Sequence, residues 1–174
     1  MASLVDRMIR AAKLDVHLYE EVEADQTAMP QAVATVALSS LAAGIGSLGA
    51  LGLSGLLVGV IAALVGWFLW AFLTYFIGTK LLPEPGTKAD LGELMRTIGF
   101  SSAPGVLRVL GFVPVLGVII VLAASIWMLV AMIIAVRQAL DYRSTWRSVG
   151  VCLIGWIVQV VLFGMLFAAL GVRS

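Results

Sequence analysis

The sequence lacks charged side chains over three long stretches, 26–79, 109–136 and 148–172. A bilayer core offers no water to hydrogen-bond with stray polar groups, so uncharged stretches of this length are typical of membrane-spanning helices. Hydrophobic residues make up 61% of the chain, above the roughly 45–50% apolar content of soluble domains. We therefore predict an all-α integral membrane protein, folded as one helical bundle.

Several kinds of chemistry are poorly represented as well. The single cysteine, Cys152, and the single histidine, His17, are too few for a disulfide framework, a thiolate metal cluster or a haem site. The net charge of +1 argues against a nucleic-acid-binding surface, and the nucleotide-binding glycine motifs are absent. No Asp or Glu lies in a predicted span, where a proton pathway usually needs one. We predict no enzyme activity, no cofactor and no metal.

The first 25 residues differ from the rest because they are rich in charge and still keep a helical apolar period. Three basic residues (Arg7, Arg10 and Lys13) lie in the first half of this segment, and an acidic cluster lies in the second half. The spacing predicts one cytoplasmic amphipathic helix over residues 3–24 that lies in the membrane interface. A helix packed on the protein's own loops, or on a partner, is the alternative. The acidic run at residues 20–25 is interpreted as a solvated face.

The remainder, 26–174, is predicted to form one transmembrane domain with five spans. Their approximate ranges are 30–49, 54–79, 97–112, 115–136 and 148–170. The third is short, because 16 helical residues reach only about 24 Å across a hydrocarbon core of about 30 Å. It also contains Pro104 and Gly105, and Pro114 follows it, so we predict kinks at these three residues. A re-entrant segment is the alternative for this stretch.

The orientation follows from the basic loops, because Lys and Arg near span ends favour the cytoplasmic side. Basic residues occur before the first span, between the second and third spans, and between the fourth and fifth spans. Five crossings place all three segments in the cytoplasm, with the N-terminus inside and the C-terminus outside. Four crossings would put the two basic loops beside the fourth span on opposite sides.

Two sets of residues are candidate sites within the spans. Small or polar residues at helical spacing favour close helix packing, either inside the bundle or with a second copy or partner; these are Ser40, Gly44, Gly55, Gly59, Ala63, Gln159 and Gly164. Cations near span ends favour lipid headgroups; these are Arg108, Arg143 and Arg147. For Arg108 a buried structural partner is the alternative. Trp67, Trp70, Trp127 and Trp156 either pack ordinarily or line a groove for a lipid, carotenoid or quinone.

Several short segments follow one another in a distinctive order along the chain. The most specific segment is Arg96–Gly105, with the sequence RTIGFSSAPG, followed by GFVPVLG at Gly111–Gly117. Ile126-Trp127 and the approach to the fifth span at Ser144–Ser148 come next. In this order the motifs resemble the Yip-domain family, the Ypt/Rab-interacting proteins of eukaryotes and their many bacterial relatives, and the likeness covers residues 25–170. The chain lacks the long N-terminal region with an Asp-Leu-Tyr-Gly-Pro type motif, so it resembles a bacterial-type relative more than a Rab binder.

The resemblance implies a five-span bundle without a catalytic residue, in a bacterial inner membrane. The expected partners are membrane lipids and other membrane-protein subunits or further copies of the chain, with no nucleic acid and no nucleotide. The expected role is a scaffold or membrane-organising factor. An accessory subunit of a larger respiratory, photosynthetic or transport complex is one alternative, and a channel for a small neutral solute is another.

Overall fold

A computed structural model describes residues 2–47 and 52–169, and these residues form helices and connecting turns, with no strand among them. Seven α-helices follow one another along the described chain: α1 (Leu4–Ala12), α2 (Val16–Ala24), α3 (Met29–Gly46), α4 (Gly52–Phe76), α5 (Leu91–Ser101), α6 (Leu116–Ala139) and α7 (Thr145–Ala169). A π-helical turn (Ile77–Leu81) extends α4, and two 3₁₀ segments, Gln26–Ala28 and Ala103–Phe112, precede α3 and follow α5.

The N-terminal segment forms two helices, so the prediction of one continuous helix over residues 3–24 is wrong. The chain turns at Leu14, whose φ of 60° lies in the left-handed region, and Asp15 then caps α2 by accepting a hydrogen bond from the His17 N–H. The inner faces of both helices pack on the protein's own core, where Tyr19 meets Phe100 in one buried cluster. The outer face of α1 leaves Val5 64% exposed.

Among the described residues, four helical segments are long and apolar enough to cross a membrane, namely Gln26–Gly46, Ser54–Leu81, Leu116–Ala139 and Thr145–Leu162. Four of the five predicted spans overlap with them. The remaining predicted span, 97–112, is made of the end of α5 and the 3₁₀ segment that follows.

Regular α-helix ends at Ser101, three residues before Pro104. The start of α5 is fixed by a capping box, in which Asp90 and Glu93 each accept a hydrogen bond from the other's backbone N–H. Pro104 then lies in the first turn of the 3₁₀ segment, the position where a missing N–H costs least. A second turn follows at Pro114, and Val115 has a φ of 64° there.

The bundle has two ends that differ in construction. We call one of them the capped end, because α5 begins there with its capping box. At this end, α5, the end of α6 and the start of α7 share one apolar cluster that includes Leu94, Leu140 and Val151. At the far end, the backbones of α3, the 3₁₀ segment and α6 approach closely. A Cβ on Gly46 would lie 1.9 Å from the Arg108 carbonyl oxygen, and one on Gly117 would lie 2.1 Å from the Gly111 carbonyl oxygen. Glycine is required at these crossings because any side chain would collide with backbone.

Candidate functional site

Arg7 ties the N-terminal helices to the start of α3. Its side chain is almost completely buried, and it donates hydrogen bonds to Glu21 at 3.0 Å, to Asp25 at 2.7 Å and to Gln31 at 3.0 Å. The hydrogen bonds from Thr27 and Arg7 hold the pKa of Asp25 at about 2, below its usual value. Arg10 on α1 adds ion pairs to Asp15, which caps the start of α2, and to Glu21. Arg7 is therefore a structural anchor.

Arg96 performs a similar task from α5. It is buried and donates hydrogen bonds to the carbonyl oxygens of Val22, at 2.8 Å, and of Glu23. These carbonyls belong to the last turn of α2. Carbonyl groups in the last turn of a helix have no backbone N–H donor within the helix, so they need a donor from elsewhere. A cation at a helix C-terminus also interacts favourably with the helix dipole.

An acidic group surrounds the end of α2. Burial raises the pKa of Glu23 to about 7, and the nearby carboxylates of Asp141, Glu93 and Glu20 raise it further while Arg96 opposes the shift. The sequence indicated a solvated acidic face here. It could not indicate the half-burial of Glu23, because Glu93 and Asp141 come from distant parts of the chain. Across residues 2–47 and 52–169, no group of three or more His, Cys, Asp or Glu is arranged to hold a metal ion.

Of the predicted headgroup residues, Arg143 lies in the turn before α7, and Arg147 lies in the first turn of that helix. Arg147 forms an ion pair with Glu84 at 3.3 Å and donates to the Pro83 carbonyl at 2.9 Å. The Arg143 side chain is exposed, while its backbone N–H donates to the Glu84 carboxylate at 2.9 Å. Both residues help to join the two loops at the capped end.

Arg108, the third predicted headgroup residue, points into the bundle. It is partly buried, and its guanidinium donates to the Ser39 hydroxyl at 3.3 Å and to the Gly105 carbonyl at 3.3 Å. No carboxylate of the described chain forms an ion pair with it. The contact with Ser39 corresponds to the alternative of a buried partner, although a weak and neutral one.

Arg108 is one of the residues that line a central cavity of about 460 Å³. Residues from α3, α4, α5, α6 and α7 line it, and its polar side carries Ser39, Ser40, Ser101, Ser102, Gln159 and Arg108. A second cavity of about 470 Å³ lies on the other side of Arg108, beside Gly46 and Gly111. The sequence offered a groove beside the tryptophans only as an alternative, and it did not indicate the polar side of the cavity, because those polar residues are far apart in the chain.

Three of the four singled-out tryptophans line the central cavity, namely Trp67, Trp70 and Trp156. The Trp67 indole N–H donates to the Met95 carbonyl, whereas the buried Trp70 indole N–H has no acceptor within the described residues. Trp127 lies elsewhere and donates to the Ala12 carbonyl at the end of α1, at 2.8 Å.

Some of the predicted packing residues contact a neighbouring helix, and others do not. A Cβ on Gly44 would lie 2.8 Å from a methyl of Leu56, so α3 and α4 are close there. Ser40 on α3 donates to the Gly59 carbonyl on α4 at 3.3 Å. The Cβ position of Gly59 itself has no heavy atom of the described residues within 4 Å, so packing against those residues does not explain this glycine. Ala63 and Gln159 line the cavity, Gly55 is half-buried, and the surroundings of Gly164 fall outside the described residues.

These features define a helical, multi-pass membrane protein with a partly buried cation beside a central cavity. The model of the Yip1 domain family matches residues 23–167, most of the chain, and the chain belongs to this family. The resemblance seen in the sequence is thereby confirmed. No curated protein and no solved structure matches the chain.

Proposed function

We propose that this protein is a non-enzymatic scaffold that organises lipids or other membrane proteins through lateral contacts of its helices. In this proposal it crosses a bacterial inner membrane five times, with residues 1–25 in the cytoplasm, the domain 26–174 in the bilayer and the C-terminus outside. Membership of the Yip1 family supports the multi-pass location.

The path of the chain supports five crossings. Leu94 and Ile98 on α5 belong to the apolar cluster of the capped end, whereas Gly111, at the end of the 3₁₀ segment, contacts Gly46 at the far end. The segment 91–112 therefore runs between the two ends of the bundle, as a crossing segment must. The wide 3₁₀ spacing, about 2.0 Å per residue, lengthens this short stretch.

One observation carries the proposal of lateral association, and it concerns the outer face of α4. Gly59 is exposed, and no heavy atom of the described residues lies within 4 Å of its Cβ position. Gly66, further along α4, has an equally open Cβ position but borders the central cavity, so it does not belong to this outer face. Glycine inside a helix costs about 1 kcal/mol relative to alanine, and the described chain gains no close packing in return. In a bilayer, such residues permit the backbone of a second helix to approach closely. We expect a second membrane helix, from another copy or a partner, to cross α4 here.

The test is the substitution Gly59→Leu, compared with Leu57→Phe on a different face of α4. Because the Cβ position of Gly59 is open, the folded monomer accommodates the leucine, and its melting temperature should not change. We expect the wild type and Leu57→Phe to associate in nanodiscs, as counted by single-molecule photobleaching or native mass, and Gly59→Leu to be monomeric.

Equal association of Gly59→Leu and the wild type would refute the docking face. Co-purification in fixed stoichiometry with a large complex, unaffected by the substitutions, would support the accessory-subunit alternative. The five-crossing topology has its own test, since reporters fused at Gly86 and Ser174 should lie on opposite sides of the membrane. Reporters on the same side would exclude an odd number of crossings between them.

A further inference from the structure

The central cavity combines a cation with an apolar wall, and the described chain supplies no anion to it. Its lining has one charged residue, Arg108, and no Asp or Glu. Placing a guanidinium in a low-dielectric region without a counter-ion is costly, and a bound anion would offset that cost. The volume, about 460 Å³, lies in the range of small-molecule sites in proteins.

Arg108 has hydrogen-bonding capacity left after its contacts within the chain. A guanidinium has five N–H donors, and the described contacts are one from Nε to Gly105 and one from a terminal nitrogen to Ser39. Ser39 is only 2% exposed, and its hydroxyl accepts from Arg108, so its own proton is available to a second acceptor. An anion beside Arg108 would therefore meet several donors at once, the geometry that makes arginine pairs with carboxylates and phosphates strong.

The rest of the cavity suits an apolar chain. Trp67, Trp70 and Trp156 form part of its wall, together with Met128 and Met132. Trp156 is 60% exposed, so the wall continues onto the outer surface of the bundle, where a chain could pass from the cavity to the surrounding lipid.

We infer that the central cavity binds an anionic amphiphile, whose phosphate or carboxylate head pairs with Arg108 while its acyl chain lies along the tryptophans towards Trp156. This site is distinct from the docking face on α4, because Gly59 does not line the cavity and Arg108 does not lie on the outer face. Failure of either proposal leaves the other intact.

The test uses the full-length protein in phosphatidylcholine nanodiscs and the quenching of its tryptophans by brominated amphiphiles. One arm compares 12-bromododecanoic acid with 12-bromododecanol, and the other compares brominated phosphatidylglycerol with brominated phosphatidylcholine. We expect saturable quenching by at least one of the two anions, beyond that of its neutral counterpart, and the arm that responds identifies the head group.

Variants assign the effect to the cavity. Arg108→Gln should raise the Kd for the anion at least tenfold, Arg108→Lys should retain part of the affinity, and Lys88→Gln, which removes an exposed cation, should leave it unchanged. Equal quenching by anionic and neutral probes, or an unchanged Kd in Arg108→Gln, would overturn the inference. A readout without any variant is native mass spectrometry from mixed-lipid nanodiscs, where the wild type should retain the anionic lipid preferentially; equal retention would also overturn it.

Discussion

The arginines at the capped end and the arginine in the middle of the bundle differ in how many hydrogen-bond acceptors surround them. Arg7 and Arg96 are nearly inaccessible, and each has two or more strong acceptors from other helices, either carboxylates or helix-terminal carbonyls. Arg108 is partly buried, and its contacts are one hydroxyl and one carbonyl three residues back in the chain. The first two cations are fully employed in holding helices together. The third has free donors beside an open cavity, which distinguishes a structural cation from a binding one.

The backbone around Arg108 is nevertheless packed tightly. The substitution Gly46→Ala tests this packing, and we expect it to have the largest effect on stability. The added methyl would lie 1.9 Å from the Arg108 carbonyl oxygen, which is backbone and cannot rotate away. We expect a loss of about 3 kcal/mol in the free energy of unfolding, at the upper end of overpacking costs. Thermal unfolding in detergent measures it. The matched control is Gly66→Ala, where the methyl meets no atom within 4 Å and stability should be unchanged or slightly higher.

Arg7→Leu should have the next largest effect, because it leaves Glu21 and Asp25 without their shared cation. Removing one partner of a buried ion pair typically costs 3–5 kcal/mol. The carboxylates are 34% and 26% exposed here, so water compensates in part, and we expect about 2 kcal/mol. Hydrogen exchange of α1 and α2 should rise with little change in α6. Wild-type protection in this variant would contradict the anchoring role.

Glu23 gives the capped end a pH dependence that the cavity lacks. The pKa of its carboxyl is raised from 4.5 to about 7 in the folded protein, so the unfolded chain releases this proton first as the pH rises. Folding is therefore progressively disfavoured between pH 4.5 and pH 7, and the loss is complete above that. Glu23→Gln should stabilise the protein at pH 8 and have little effect at pH 4. Between these values the melting temperature of the variant should depend less on pH than that of the wild type. A parallel pH profile in the variant would show that Glu23 is not the group responsible.

The smallest effect on stability is expected for Arg108→Gln in the absence of an anionic amphiphile. The substitution removes two weak hydrogen bonds and also a charge without a counter-ion, and these consequences oppose each other. We expect a change within about 0.5 kcal/mol by thermal unfolding in a neutral detergent. A loss as large as that in Arg7→Leu would place Arg108 among the structural cations and remove the contrast between the two regions.

The sequence alone was enough for the membrane class, the all-helical fold and the family, because each depends on local composition or on contiguous motifs. It was not enough for the turn at Leu14, where an apolar period continues through a residue that adopts a left-handed conformation. It also grouped Gly44 with Gly59, although only the first meets a neighbour at its Cβ position. Hydropathy measures how apolar a helix is and does not show which face meets another helix. The pairing of Ser39 with Arg108 depends on the tertiary fold and is invisible in either segment.

The bond network of Arg96 has a consequence for the order of events during synthesis. This residue completes the last turn of α2 from 73 and 74 positions further along the chain. At a translation rate of about 5–20 residues per second, Arg96 is synthesised roughly 4–15 seconds after the end of α2. Both of the first two spans are made within that interval. We therefore expect the N-terminal pair to dock late, onto a partly inserted bundle, and its amphipathic face to stay available to a chaperone or to the membrane surface until then.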